Sequence, residues 1–107
     1  MASWIDVMST KDLPEGQHTL IELEDIELLL VNIDNQFYAI ENACSHDGGD
    51  LSEGEIDGSE ITCPRHGARF CLKTGEVLCA PAFENIDTYP VRIVDNRIQI
   101  ALDTNLG

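Results

Sequence analysis

Short apolar runs recur along this chain, each closed by turn residues, and none keeps a helical period for longer than about two turns. That pattern confines the chain to an all-β fold. At the carboxyl end Tyr89, Val91 and Ile93 alternate with other residues, Asp95-Asn96 offers a turn, and Ile98, Ile100 and Leu102 alternate again. Such a repeat predicts a hairpin with one buried face. Asp34-Asn35 between two apolar runs predicts a second hairpin. Lys73-Thr74-Gly75-Glu76 predicts a third, Gly75 supplying the positive φ such turns often need. The expected strands cover residues 4–7, 18–23, 27–33, 36–41, 60–63, 68–72, 77–79, 87–94 and 97–102.

A chain of 107 residues suits one domain, residues 1–107, that buries roughly two-thirds of its unfolded surface. No repeat, low-complexity stretch or boundary interrupts it, and residues 103–107 are expected to fray. Six Lys and Arg against twenty Asp and Glu leave a net charge of −14. Negative potential of that size repels phosphates and anionic lipid headgroups, which argues against nucleic acid and membrane as partners. It steers the chain instead toward a basic patch on another protein, in a way that salt weakens. The start, MASWIDVMSTKDL, lacks the basic opening and apolar run of a secretory signal. The longest apolar run, Leu28-Leu29-Leu30-Val31, is far short of the roughly 18 residues that suggest a membrane span. A cytoplasmic location is expected, where four Cys argue for metal rather than disulfides.

Residues 47–57 carry five acidic residues and three Gly, with Leu51 and Ile56 as the apolar anchors, and are expected to form an exposed loop. Either side of it stand two clips, Cys44-x-His46 and Cys63-x-x-His66. Neither loop brings enough apolar side chain to offset the cost of ordering its backbone, about 1–2 kcal/mol per residue, so something must hold both. Thiolates and imidazoles suit either tetrahedral zinc or an iron–sulfur cluster. A zinc finger usually groups like ligands; here each clip carries one of each. Mixed clips fit better a Rieske [2Fe–2S] centre, in which two His replace two Cys on one of the irons.

C-x-H, sixteen residues, then C-P-x-H-G-A-x-F and KTGEVLCAPA, resembles the Rieske ferredoxins that serve bacterial ring-hydroxylating dioxygenase systems, from about residue 4 to residue 102. The resemblance implies one [2Fe–2S] cluster, Cys44 and Cys63 on the inner iron and His46 and His66 on the outer, solvent-facing iron. It also implies a β-sandwich with a small cluster-binding subdomain, about residues 42–83, that carries the two metal loops. Ala80-Pro81-Ala82 looks like the proline loop that covers the cluster. The respiratory branch of the family bridges its loops by a disulfide at positions that here hold Gly49 and Arg65, so that bridge cannot form. The same branch places Ser and Tyr hydroxyls near the sulfurs where this chain has Ala68 and Phe70. Hydrogen bonds to sulfur stabilise the reduced cluster, so their absence, with Asp47, Asp50, Glu53 and Glu55 nearby, implies a potential around −150 mV. The free ring nitrogen of His46 or His66 makes that potential fall with rising pH above the oxidised-state pKa. Gly48, Gly49 and Gly67 are expected to let backbone amides approach the sulfurs.

Implied partners are a flavin-dependent reductase and a terminal oxygenase, engaged in small, short-lived contacts by a monomer through His46, His66, Asp47, Gly48, Gly67 and Pro81. No catalytic residue is expected. A mononuclear iron site needs two His and a carboxylate, and two of the three His already belong to the cluster. No nucleotide, flavin or nucleophile-elbow fingerprint is present. The alternatives are the small subunit of a nitrite-reductase-like complex, which often lacks the ligands, a zinc-stapled interaction module, and an iron–sulfur redox sensor. Cys71 and Cys79 are expected as small buried hydrophobes, and His18 as an edge-strand surface residue. Trp4, Phe37, Tyr38, Phe70, Phe83 and Tyr89 are expected to pack in the core and at its edges. The acidic loop lacks the D-x-[DN]-x-[DN]-G pattern of a calcium site.

Overall fold

Three pairs of neighbouring residues with positive φ make tight turns among the described residues: Glu24-Asp25, Asp34-Asn35 and Asp95-Asn96. Two successive left-handed residues are the signature of a two-residue hairpin turn whose twist matches its strands. The computed structural model describes residues 4–43, 49–64, 67–80 and 82–102. Its strands are β1 (Trp4–Ser9), β2 (His18–Leu23), β3 (Ile26–Ile33), β4 (Gln36–Glu41), β5 (Glu55–Asp57), β6 (Glu60–Thr62), β7 (Arg69–Cys71), β8 (Val77–Cys79), β9 (Thr88–Tyr89), β10 (Val91–Val94) and β11 (Arg97–Ala101), with one 3-10 turn at Thr10–Asp12. No helix among the described residues is long and apolar enough to cross a membrane.

The strands form three antiparallel sheets, ordered β1-β11-β10, β2-β3-β4-β9 and β5-β6-β7-β8. Along β3 the middle sheet is buried on both faces. Leu28 and Leu30 of β3 point into a core with Ala39, Tyr89, Ile98 and Ile100, while Leu29 and Val31 join Ile40, Leu51, Ile61, Cys63, Phe70 and Leu72 on the other side. This explains the unbroken Leu28–Val31 run, since a strand covered on both faces needs no polar alternation. Truncating any of these leucines to Ala is expected to cost about 2–5 kcal/mol.

Three expectations need correction. Residues 47–57 are not loop throughout: Ile56 pairs with Ile61, making β5 the edge of the third sheet. Leu51 is fully buried and Ile56 half-buried against the same core, so the two anchors do anchor. Residues 87–94 are not one strand. Thr88 and Tyr89 pair with β4, whereas Val91 to Val94 pair with β11. Pro90, which has no N–H for either ladder, marks the crossing between sheets. Ile98 and Ile100 fill the buried face of the last hairpin, but Ile93, on the edge strand β10, is 45% exposed.

Candidate metal centre

Of the four predicted ligands, Cys63 is described; Cys44, His46 and His66 lie outside the described residues, as do Asp47, Gly48 and Pro81. Among the described residues no three His, Cys, Asp or Glu side chains gather into a metal-binding group. Cys63 follows β6 directly, and its side chain enters the core with Leu51, Ala68, Phe70 and Ala82. At 1% exposure it is a thiol held by its surroundings in one place. The Cys63 amide donates to the Ala68 carbonyl at 2.7 Å, and the Gly67 amide donates to the Cys63 carbonyl at 3.1 Å. These two bonds close the base of the second clip. Gly67 takes φ +77° there, a conformation that a side chain disfavours. Its amide is taken up by the Cys63 carbonyl.

The first clip is framed from its flanks. β4 ends at Glu41, and Asn42, buried at 5% exposure, comes next. The Asn42 Oδ1 accepts from the amides of Leu51 at 2.8 Å and Ser52 at 2.9 Å, while its Nδ2 donates to Glu27 Oε1 at 2.6 Å. Its own amide donates to the Glu27 carbonyl at 3.0 Å. A further turn follows, in which the Gly54 amide donates to the Leu51 carbonyl at 2.8 Å. Sequence reasoning missed Asn42. Its position two residues before Cys44 is visible in the sequence, but its partners lie across the loop and on β3.

The segment after β8 supplies the other flank. Ala82 is buried in the Cys63 core, and Phe83 beside it is exposed, contrary to its expected packing role. Cys79 is exposed and Cys71 half-buried, so neither is the buried hydrophobe expected. The cause is a register shift: Phe70 pairs with Val77 but Arg69 with Cys79, which turns Cys79 to the exposed side of Arg69. Burial pushes the Cys71 thiol up. Hydrogen bonds from the Thr74 hydroxyl and the Lys73 and Thr74 amides outweigh it and hold the thiol below its usual range. His18 lies exposed on edge strand β2, as expected, and Asp50, Glu53 and Glu55 are exposed. Gly75 takes the positive φ predicted for the third hairpin, +77°.

These features fit a Rieske group in donor chemistry. One soft thiol is fixed in an apolar wall, and the second clip has a closed base. The opening of the first is tied back to the sheet. Residues 3–90 match the Rieske [2Fe–2S] domain family. The ferredoxin component of the naphthalene 1,2-dioxygenase system of Pseudomonas aeruginosa is 41% identical over 99 residues, covering 92% of this chain and 95% of that protein. The 3-phenylpropionate/cinnamic acid dioxygenase ferredoxin subunit of Shigella flexneri is 42% identical over 92 residues, covering 85% of this chain and 86% of that one. Among solved structures, the ferredoxin of carbazole 1,9a-dioxygenase from Nocardioides aromaticivorans superposes with a TM-score of 0.86 at 30% identity, covering 92% of this chain and 97% of that chain. A complex of reduced oxygenase and oxidised ferredoxin in carbazole 1,9a-dioxygenase gives the same score at 29% identity, covering 92% of both chains.

Proposed function

The chain belongs to the Rieske [2Fe–2S] domain family, and on that footing we propose that it is the electron-carrying ferredoxin component of a ring-hydroxylating dioxygenase system. The observation that carries this reading is the pair of mixed Cys/His clips within a match to such ferredoxins over 92% of the chain. The relatives are electron-transfer components rather than catalytic subunits, and this chain likewise carries electrons without transforming a substrate. A bound Rieske cluster supplies reversible one-electron exchange.

In this reading Cys44 and Cys63 hold the inner iron and His46 and His66 the outer one. Burial of Cys63 supports an inner position for its sulfur. Residues 42–83 act as the cluster-binding subdomain of a single domain spanning residues 1–107, and the third sheet, β5 to β8, is its frame. The core around Cys63 excludes water from the thiolate side, where desolvation strengthens electrostatic interactions. The exposed acidic residues after the first clip add negative charge, which opposes reduction and attracts a basic partner.

The partners are a flavin-dependent NAD(P)H reductase, which gives the electron, and a terminal oxygenase, which takes it. A monomeric, cytoplasmic carrier suits both encounters. Ferredoxin and oxygenase form a complex in the carbazole dioxygenase structure, which supports an oxygenase as the acceptor. Gly67 is exposed, and Phe83 joins the contact residues expected from the sequence.

Electron paramagnetic resonance of the purified protein before and after dithionite, with metal content from the same sample, tests the reading. A silent oxidised form that gains a Rieske signal on reduction, with iron and acid-labile sulfide near two of each per chain, is expected. One zinc and no sulfide would make the chain a stapled interaction module instead.

A further inference from the structure

Two residues before Cys44 the chain leaves the middle sheet at Asn42, and it returns to the core at Leu51. Asn42 bonds both places at once. Its Oδ1 accepts from two successive amides, Leu51 and Ser52, and its Nδ2 reaches back to Glu27 on β3. Asn42 itself is 5% exposed, and leaving a buried side-chain amide unpaired costs about 1–3 kcal/mol.

We propose that Asn42 is a positioning residue for the cluster: it fixes the width of the first clip and references that clip to the second. The inference rests on the ferredoxin reading above. Leu51, one end of the clamp, has its side chain in the same core as Cys63 and Ala68, which belong to the second clip. Glu27, the other end, stands near the start of β3, one residue before the buried Leu28. A cluster held by two ligands from each clip needs the clips at a fixed separation, and this clamp sets that separation through protein groups alone.

The side chain required is narrowly defined. One oxygen must accept twice while the other terminal atom donates to a carboxylate. Leucine matches the shape but bonds nothing, and aspartate sets a second carboxylate against Glu27. Donor and acceptor can be exchanged, however. In the double variant N42D/E27Q, the introduced carboxylate still accepts from the Leu51 and Ser52 amides, and the introduced side-chain amide on β3 donates to it.

The experiment compares wild type, N42A, N42D, E27Q and N42D/E27Q by the rate at which a chelator bleaches the cluster's visible absorption, and by the reduced resonance spectrum. N42A is expected to lose the cluster about 10–100-fold faster, the range for partners that orient metal ligands, and to broaden the signal. N42D should fall between, E27Q should match wild type, and N42D/E27Q should recover most of what N42D lost. The exchange of donor and acceptor tests the hydrogen bonds themselves, and the line shape of the reduced signal separates positioning from a general loss of stability, which would speed cluster loss without changing the spectrum of the cluster that remains. An N42A protein indistinguishable from wild type overturns the inference, as does a double variant no better than N42D. A wild-type chain with no Rieske signal sinks the proposed function and this inference with it. A normal wild-type signal with an indifferent N42A sinks the inference alone.

Discussion

Ala82 and Phe83 are neighbours in the chain and face opposite ways: Ala82 is 3% exposed in the core that holds Cys63, and Phe83 is 84% exposed. Because Ala82 is locked inward, the next side chain is presented outward beside the core that holds Cys63. A large aromatic so placed offers contact area to a partner at little conformational cost. Phe83→Ala is expected to lower the second-order rate of electron transfer to the oxygenase about tenfold, the effect of losing about 1.4 kcal/mol. Reduction potential and melting temperature should not move. A rate equal to wild type would exclude Phe83 from the interface.

Thiol chemistry separates the four cysteines. In the cluster-loaded protein, iodoacetamide followed by mass spectrometry should modify Cys79, which is exposed, and Cys71, while Cys44 and Cys63 stay protected. Because hydrogen bonds from Thr74 and its neighbours hold the Cys71 thiol below its usual range, its alkylation should reach half-rate at a lower pH than a free thiol's. Thr74→Val should move that midpoint up. Protection of Cys71 or Cys79 in place of Cys44 or Cys63 would refute the ligand assignment.

Stability should carry the imprint of Glu41. Burial, reinforced by Asp87, raises its carboxyl above the usual range. Above that raised pKa the ionised group opposes folding, and the opposition disappears as pH falls below the unfolded carboxylate range. Glu41→Gln is therefore expected to stabilise the fold at pH 7, by about 1 kcal/mol at most for a group this exposed. The gain should fade toward pH 4. Equal gain at both pH values in urea titrations would remove the electrostatic explanation.

Ala68 offers a route to the potential. It is fully buried beside Cys63, at the position where the respiratory branch of the family places a Ser hydroxyl near the sulfurs. Ala68→Ser should raise the potential by about 40 mV, one net hydrogen bond of about 1 kcal/mol favouring the reduced state. Voltammetry reads this directly, and an unchanged or lowered value would place the residue out of reach of the sulfurs.

Much of the fold was legible because alternation and turn chemistry agree. β2, β4 and β8 fall where their sequences place them, and Asp34-Asn35 and Asp95-Asn96 turn as two-residue hairpins should. β5 was not legible: Ile56 between Glu55 and Asp57 carries no period, and its pairing with Ile61 exists only once β6 is present. Nor was the bulge that exposes Cys79, a property of two strands together. At the candidate site the Cys/His spacing carried the chemistry by itself. Asn42 and Phe83 stayed hidden because one acts across a loop and the other takes its direction from its buried neighbour.

The two-sided burial of β3 makes residue parity an address. Even positions, Leu28 and Leu30, look toward the sandwich, while odd positions, Leu29 and Val31, look toward the compartment of Cys63. Adjacent substitutions of the same chemical size should thus be felt by different halves of the molecule. A methylene removed at Leu30 loosens the scaffold, and one removed at Leu29 loosens the wall around Cys63. Neither half has a private floor, so the strand that divides them also prevents either from being excised intact.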